Sequence, residues 1–217
     1  MNNILIITGG HIDLEFAGEY IKDKRFERII AADAGLACCR ELDIMPTDIL
    51  GDFDSLKNLE VLEYYKDQGV PVRTFPVRKD YTDTHLALSY AADLKPEMVT
   101  ILGATGTRYD HALANIGLLS RMEGKGILCK IIDRHNEMEM LTGPGKREFK
   151  RRDDLPYLSL LAWGGRVTGI DLSGFSYPLT DGTLSCDVSL GISNELIEDM
   201  GTVKIRSGCL LIIRSRD

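Results

Sequence analysis

Asp48-Ile49-Leu50-Gly51-Asp52-Phe53-Asp54-Ser55 decides how the rest of the chain is read. A short apolar run stops at a glycine and opens into two carboxylates that flank an aromatic, with a serine behind. A buried strand that ends in such a loop suits an open α/β sheet, where ligands bind outside the carboxyl ends of the strands. The plainer reading is a helix start, with Asp54 or Ser55 as N-cap. A cap needs one polar residue, and this segment supplies several. Lys79-Asp80-Tyr81-Thr82-Asp83 and Arg108-Tyr109-Asp110-His111 repeat the theme further along. Asp52, Asp54, Asp80, Asp83 and Asp110, with Lys79 and Arg108 among them, make a poor core. They make a good cage for Mg²⁺ and a polyphosphate, because that ion takes hard oxygen ligands and shares them with substrate phosphates.

Working outward, the pattern alternates strand and helix. Ile4 to Thr8 is a β-branched run that ends in Gly9-Gly10. That pair either turns the chain or lets a phosphate approach the backbone. Neither G-x-x-x-x-G-K-[ST] nor G-x-G-x-x-G is present. Asp13–Asp23 reads as a helix and Arg28–Ala32 as the second strand. Asp33 at its end has two readings, cap of the next helix or holder of a ligand hydroxyl. A helix is expected over Leu36–Leu42 and another over Leu56–Asp67. Val70–Val77, with two prolines, reads as an edge strand. Thr82 or Asp83 starts a helix to Asp93. Met98–Leu102 is a further buried strand, and Gly103–His111 precedes a helix over Ala112–Arg121. Small residues before a helix start suit an anion, and the Arg108 fork matches phosphate oxygens. His111 reads as a helix-start hydrogen bonder or as a base.

Ile127–Asp133 is the last strand of that alternation. Beyond it come short β-prone runs over 137–141, 147–150, 157–163, 166–172, 183–188 and 202–214. They are punctuated by Gly143-Pro144-Gly145, Gly164-Gly165, Asp181-Gly182 and Ser207-Gly208. A helical turn is the one exception expected, near Asn194–Asp199. The fold class is therefore α/β, a Rossmann-like, mostly parallel sheet domain over 1–133 followed by a small antiparallel β-sandwich or barrel over 134–217. Trp163 and Tyr177 read as core ahead of the alternative, a stacking partner for a ligand.

Composition narrows the partners. A net charge of −7 speaks against a nucleic-acid binder, which carries a basic face. No apolar run is long enough for a membrane span. Met1-Asn2-Asn3-Ile4-Leu5 lacks the basic and apolar regions of a signal peptide. The five cysteines are scattered without a C-x-x-C, which fits thiols in a reducing cytoplasm. Acidic loops with Lys and Arg at a parallel sheet edge point to phosphoryl-type transfer, in which the protein positions reactants and neutralises charge.

Taken together, Ala32-Asp33-Ala34-Gly35, Pro46 to Ser55, Lys79 to Asp83, Gly103 to His111 and Gly191-Ile192-Ser193-Asn194-Glu195 resemble the thiamine pyrophosphokinase family over nearly the whole chain. The resemblance implies an α/β catalytic domain, a β-sandwich that helps bind thiamine, and a homodimer. It also implies transfer of the diphosphoryl group of ATP to the hydroxyl of thiamine, which gives thiamine diphosphate and AMP. Carried over, Asp54, Asp80, Asp83, Arg108 and Asp110 are the catalytic set, and Asp52, Asp54 and Asp80 hold Mg²⁺. Lys79, Arg108, Thr82, Asp33, Ser193 and Asn194 contact the nucleotide or the thiamine. Asp54 and Asp83 are both candidates to accept the alcohol proton. The chain departs from the family at Ala34 and Thr107, where glycine is usual. The alternatives are a diphosphokinase acting on a pterin alcohol and a non-catalytic thiamine sensor.

Overall fold

The computed structural model describes residues 2–54, 56, 58–74 and 80–217. They form two compact units. One runs to Leu118 and takes up Lys125–Arg134; the other comprises Leu119–Gly124 and His135–Asp217.

The first unit is a parallel sheet of β1 (Asn3–Ile7), β2 (Arg28–Ala32), β3 (Asp48–Gly51), β4 (Val72–Thr74), β5 (Met98–Leu102) and β6 (Leu128–Ile132). Their order is β4-β3-β2-β1-β5-β6, all parallel. The central strands are mostly apolar where both faces are covered: Ile4–Ile7 of β1 and Ile30–Ala32 of β2 are buried throughout, whereas the edge strand β4, Val72-Arg73-Thr74, is not buried. Leu5, Ile7, Ala31 and Ile49 share a core cluster with Leu36, Cys39, Leu62 and Tyr65. The last four come from α2 (Gly35–Glu41) and α3 (Glu60–Asp67). Alternation along the strands turns Ile4, Ile6 and Ile30, also buried, to the opposite face. The other helices are α1 (Leu14–Lys22), α4 (Asp83–Asp93) and α5 (Tyr109–Glu123). No helix among the described residues is long and apolar enough to cross a membrane.

Two expectations change here. α3 starts at Glu60, whose N–H bonds to Asn58 Oδ1 at 2.9 Å. It does not start at Leu56, so Asp54 caps no helix. The N-cap of α2 is Ala34, with no side-chain bond, so Asp33 is not a cap either. Instead Asp33 sits in the left-handed region, at φ 49°.

At the amino ends of the strands, away from the ligand edge, a polar cluster ties β2 to β3. Asp48, only 3 % exposed, accepts from Arg28 Nη1 at 2.9 Å, Thr47 Oγ1 at 2.8 Å and Tyr90 Oη at 2.8 Å. Burial pushes its carboxyl up, but the bonds from Tyr90, Thr47 and Arg28 outweigh it and hold it below the ordinary value. A carboxylate whose folded pKa is depressed contributes stability that is present above its unfolded pKa, about 3.9. That stability is lost as pH falls through the folded pKa. Asp48→Asn is expected to lower stability by about 1–3 kcal/mol at neutral pH. Urea midpoints measured from pH 7 downward should converge for the two proteins in the acid range; a pH-independent gap would sink the assignment.

The second unit is antiparallel: β7 (Asn136–Thr142), β8 (Gly145–Lys150), β9 (Tyr157–Ser173), β10 (Leu179–Leu184), β11 (Asn194–Glu195), β12 (Met200–Ile205) and β13 (Ser207–Ser215). β9 merges two strands expected to be separate. Gly164-Gly165 makes no hairpin turn; it opens a register shift, with Trp163 opposite Cys209 but Thr168 opposite Ser207. Before the shift β9 pairs with β13 as far as Trp163; after it β9 keeps one pair with β13 and takes up β10 and β12. One strand thereby joins β10, β11, β12 and β13. Asn194–Asp199 holds no helical turn, because Asn194 and Glu195 pair with Leu158 and Tyr157. Tyr177 is not core but 72 % exposed, and Trp163 is half-buried.

Candidate active site

The order of the parallel strands reverses direction between β1 and β5. Loops that leave their carboxyl ends lead to a crevice, the usual ligand position in an open α/β sheet. A cleft of about 520 Å³ lies there, floored by Thr8–Gly10, Asp33, Ala34 and Gly103–Arg108. Its wall is Thr82, Asp83 and Thr84, with His111 and Asn115 of α5.

Backbone bonds hold this floor. Gly10 N–H bonds to Gly103 O at 2.9 Å and His11 N–H to Thr105 O at 2.8 Å. Thr8 Oγ1 donates to Gly103 O at 2.6 Å. Asn115, buried on α5, donates to Ala104 O at 2.8 Å. A methyl at Gly10 would stand 2.1 Å from Gly103 O and 2.4 Å from Thr105 O. Close passage of two loops, rather than a tight turn, therefore demands glycine here. The α5 start follows directly on residues 105–108, an arrangement suited to phosphate.

The carboxylates fall into separate groups. Asp33, Asp52 and Asp54 each bring an oxygen within 4.8 Å of the others. Asp33 N–H bonds to Leu50 O at 2.8 Å, which docks the end of β2 on β3. Three hard oxygen donors from two adjacent strand ends fit Mg²⁺. Sequence reasoning placed Asp33 with the nucleotide, because β2–β3 adjacency is not visible along the chain. Asp80 is exposed and stands outside that group. Asp83 is the first residue of α4, half-buried against the cleft, and Thr82 caps the helix by accepting from His85 N–H at 3.2 Å. Lys79 and Ser55 lie outside the described residues.

Arg108 and Asp110 face each other. The guanidinium gives two bonds to the carboxylate, at 3.2 and 2.5 Å. The Arg108 bond holds the Asp110 carboxyl at about 2. Both side chains are exposed, so the same fork is available to a phosphate at little cost. Ala34 and Thr107, the two departures, stand at ordinary φ, so neither position needs the conformational freedom of glycine. The Ala34 methyl fills the space beside Gly9, where a second Cβ would come within 2.8 Å.

In the β unit, Asn194 is buried and spent on its own fold. It accepts from Tyr177 N–H at 3.0 Å and donates to Tyr177 O at 2.8 Å. Ser193 is exposed, left-handed at φ 55°, and its N–H bonds to Ser159 Oγ at 2.9 Å.

Comparison with known proteins bears on both units. Residues 19–131 match the family model of the thiamin pyrophosphokinase catalytic domain. Residues 147–210 match that of the thiamin pyrophosphokinase vitamin B1 binding domain. The thiamine pyrophosphokinase of Bacillus subtilis is 34% identical over 188 residues, covering 87% of each chain. A crystal structure of the Bacillus subtilis thiamine pyrophosphokinase superposes with a TM-score of 0.89 at 31% identity over 100% of both chains. The thiamin pyrophosphokinase of Geobacillus thermodenitrificans does so at 0.87 and 30% identity, over 99% of this chain and 98% of its own.

Proposed function

The chain belongs to the thiamine pyrophosphokinase family, and on that premise we propose how its residues share the work. The reaction moves the diphosphoryl group of ATP to the hydroxyl of thiamine and releases AMP. The thiamine oxygen bonds to the β-phosphorus; the bond from that phosphorus to the α,β-bridging oxygen breaks, and the oxygen leaves with AMP. The observation that carries the assignment of parts is the cleft at the sheet reversal, with a three-carboxylate group at its β2–β3 side.

Asp33, Asp52 and Asp54 would hold Mg²⁺. When bound, the ion offsets charge on the phosphates. The N–H groups around Gly103–Thr107 and the Arg108 guanidinium receive phosphate oxygens, Arg108 exchanging Asp110 for the substrate. Asp83 stands apart from the three-carboxylate group and lines the cleft. It accepts the thiamine hydroxyl proton, a role for which Asp54 would be less free once it holds a metal. Asp80 and Lys79 act on the same polyphosphate.

The domain over 1–133 is the ATP and Mg²⁺ domain, and 134–217 the thiamine-binding domain. Ser193 touches thiamine, while Asn194 shapes the loop that presents it. The protein works as a cytoplasmic homodimer without nucleic-acid or membrane partners. Val188, Leu190, Ile192 and Ile197 of the β unit are exposed and available to a dimer interface.

Protein mixed with ATP, Mg²⁺ and thiamine should release AMP in step with thiamine diphosphate, followed by nucleotide chromatography. ADP with thiamine monophosphate would overturn diphosphoryl transfer. AMP release only with a pterin alcohol would reassign the acceptor.

A further inference from the structure

We propose that Phe53 is a positioning residue for the metal group, a latch that holds Asp52 and Asp54 beside Asp33. This rests on the reading of those three carboxylates as the Mg²⁺ site. Phe53 is 7 % exposed and belongs to the core cluster that contains Ile49, Leu56 and Leu62. Its backbone is left-handed, at φ 61°. A bulky residue rarely adopts that conformation, and it persists only where its surroundings enforce it. Gly51 before it is at φ 155°, and a Cβ there would stand 3.1 Å from the Asp33 backbone. The chain thus leaves β3 pressed on the Asp33 turn, then reverses at Phe53 with the ring in the core. The flanking carboxylates are left together outside, and Asp54 N–H bonds back to Asp52 Oδ1 at 3.3 Å. Burial of one ring and one unusual φ therefore fix the spacing of two acids and, through Gly51, their distance to the third.

A core residue that only stabilises would affect folding and not metal affinity. Mn²⁺ binding, read by electron paramagnetic resonance without nucleotide, separates the two roles. Phe53→Ala should weaken Mn²⁺ binding by about tenfold or more, the size expected when support behind metal ligands is lost. Phe53→Leu, which can refill the core, should restore most of it. Leu62→Ala, a deletion in the same cluster, should lower the melting temperature while leaving Mn²⁺ affinity as in the parent. The proposal is overturned if Phe53→Ala binds Mn²⁺ normally, or if Leu62→Ala weakens it equally. Asp52→Asn serves as reference. If it alone lost Mn²⁺ affinity, the latch would fall and the metal site stand; if it kept parent affinity, both would fall.

Discussion

Replacing Asp54 by Asn is expected to leave the chain folded and to lower kcat by about two to three orders of magnitude. Asp54 is exposed, and among the described residues it caps no helix. The amide keeps its shape, so stability should move by less than about 0.5 kcal/mol. What it loses is the charge that, with Asp33 and Asp52, would neutralise a divalent ion. The effect should therefore appear in turnover and in the Mg²⁺ concentration needed for half-maximal rate. KM for thiamine should change little, because Asp54 is assigned no contact with the acceptor. Steady-state AMP release and a thermal melt are sufficient. Near-parent turnover with unchanged Mg²⁺ dependence would remove Asp54 from the mechanism.

Gly10→Ala carries the second large effect. The new methyl would meet two backbone carbonyls, Gly103 O at 2.1 Å and Thr105 O at 2.4 Å. Backbone cannot step aside as a flexible side chain can. The loops after β1 and β5 must separate, and the Gly10 N–H bond to Gly103 O lengthens or breaks. Overpacking of this kind costs about 1–3 kcal/mol, or roughly 2–12 °C in melting temperature at this chain length. The same displacement deforms the cleft floor, so KM for ATP should rise about tenfold or more. Gly165→Ala is the control, because a Cβ there meets nothing within 4 Å; it should be close to neutral. If Gly10→Ala lost stability but kept its KM for ATP, this glycine would serve only the packing of the loops.

Both predictions start from segments that stand out in the sequence, yet their physical reasons differ in legibility. Strand and helix alternation came through because parallel strands buried on both faces are nearly continuous apolar runs, as in Ile4–Ile7 and Ile30–Ala32. The cleft at the carboxyl ends of the strands lies where the sequence places carboxylates and glycines directly after those runs. The helix boundary after Ser55 was placed too early. The apolar residues from Leu56 onward do occur at helical spacing, but Leu56 and Phe53 are drawn into the core before the helix begins. Gly164-Gly165 was read as a turn because the pair looks like one. In the fold, β13 pairs with β9 on both sides of the two glycines, across a register shift, so they lie within one strand.

The sequence by itself determined the class of fold, the order of its parallel and antiparallel parts, and the family. These depend on local periodicity, punctuation and side-chain type, which are written along the chain. Only the tertiary structure decided which acids stand together. Asp33 joins Asp52 and Asp54 because parallel pairing sets Ala32 beside Leu50, and that register is a property of two strands rather than of either segment. It likewise assigned Asp110 to Arg108, turned Asn194 inward to hold the Tyr177 loop, and set Phe53 in the core with the acids on either side. Each of these depends on through-space neighbours brought together by burial of the sheet faces, whose free energy is shared across the whole unit.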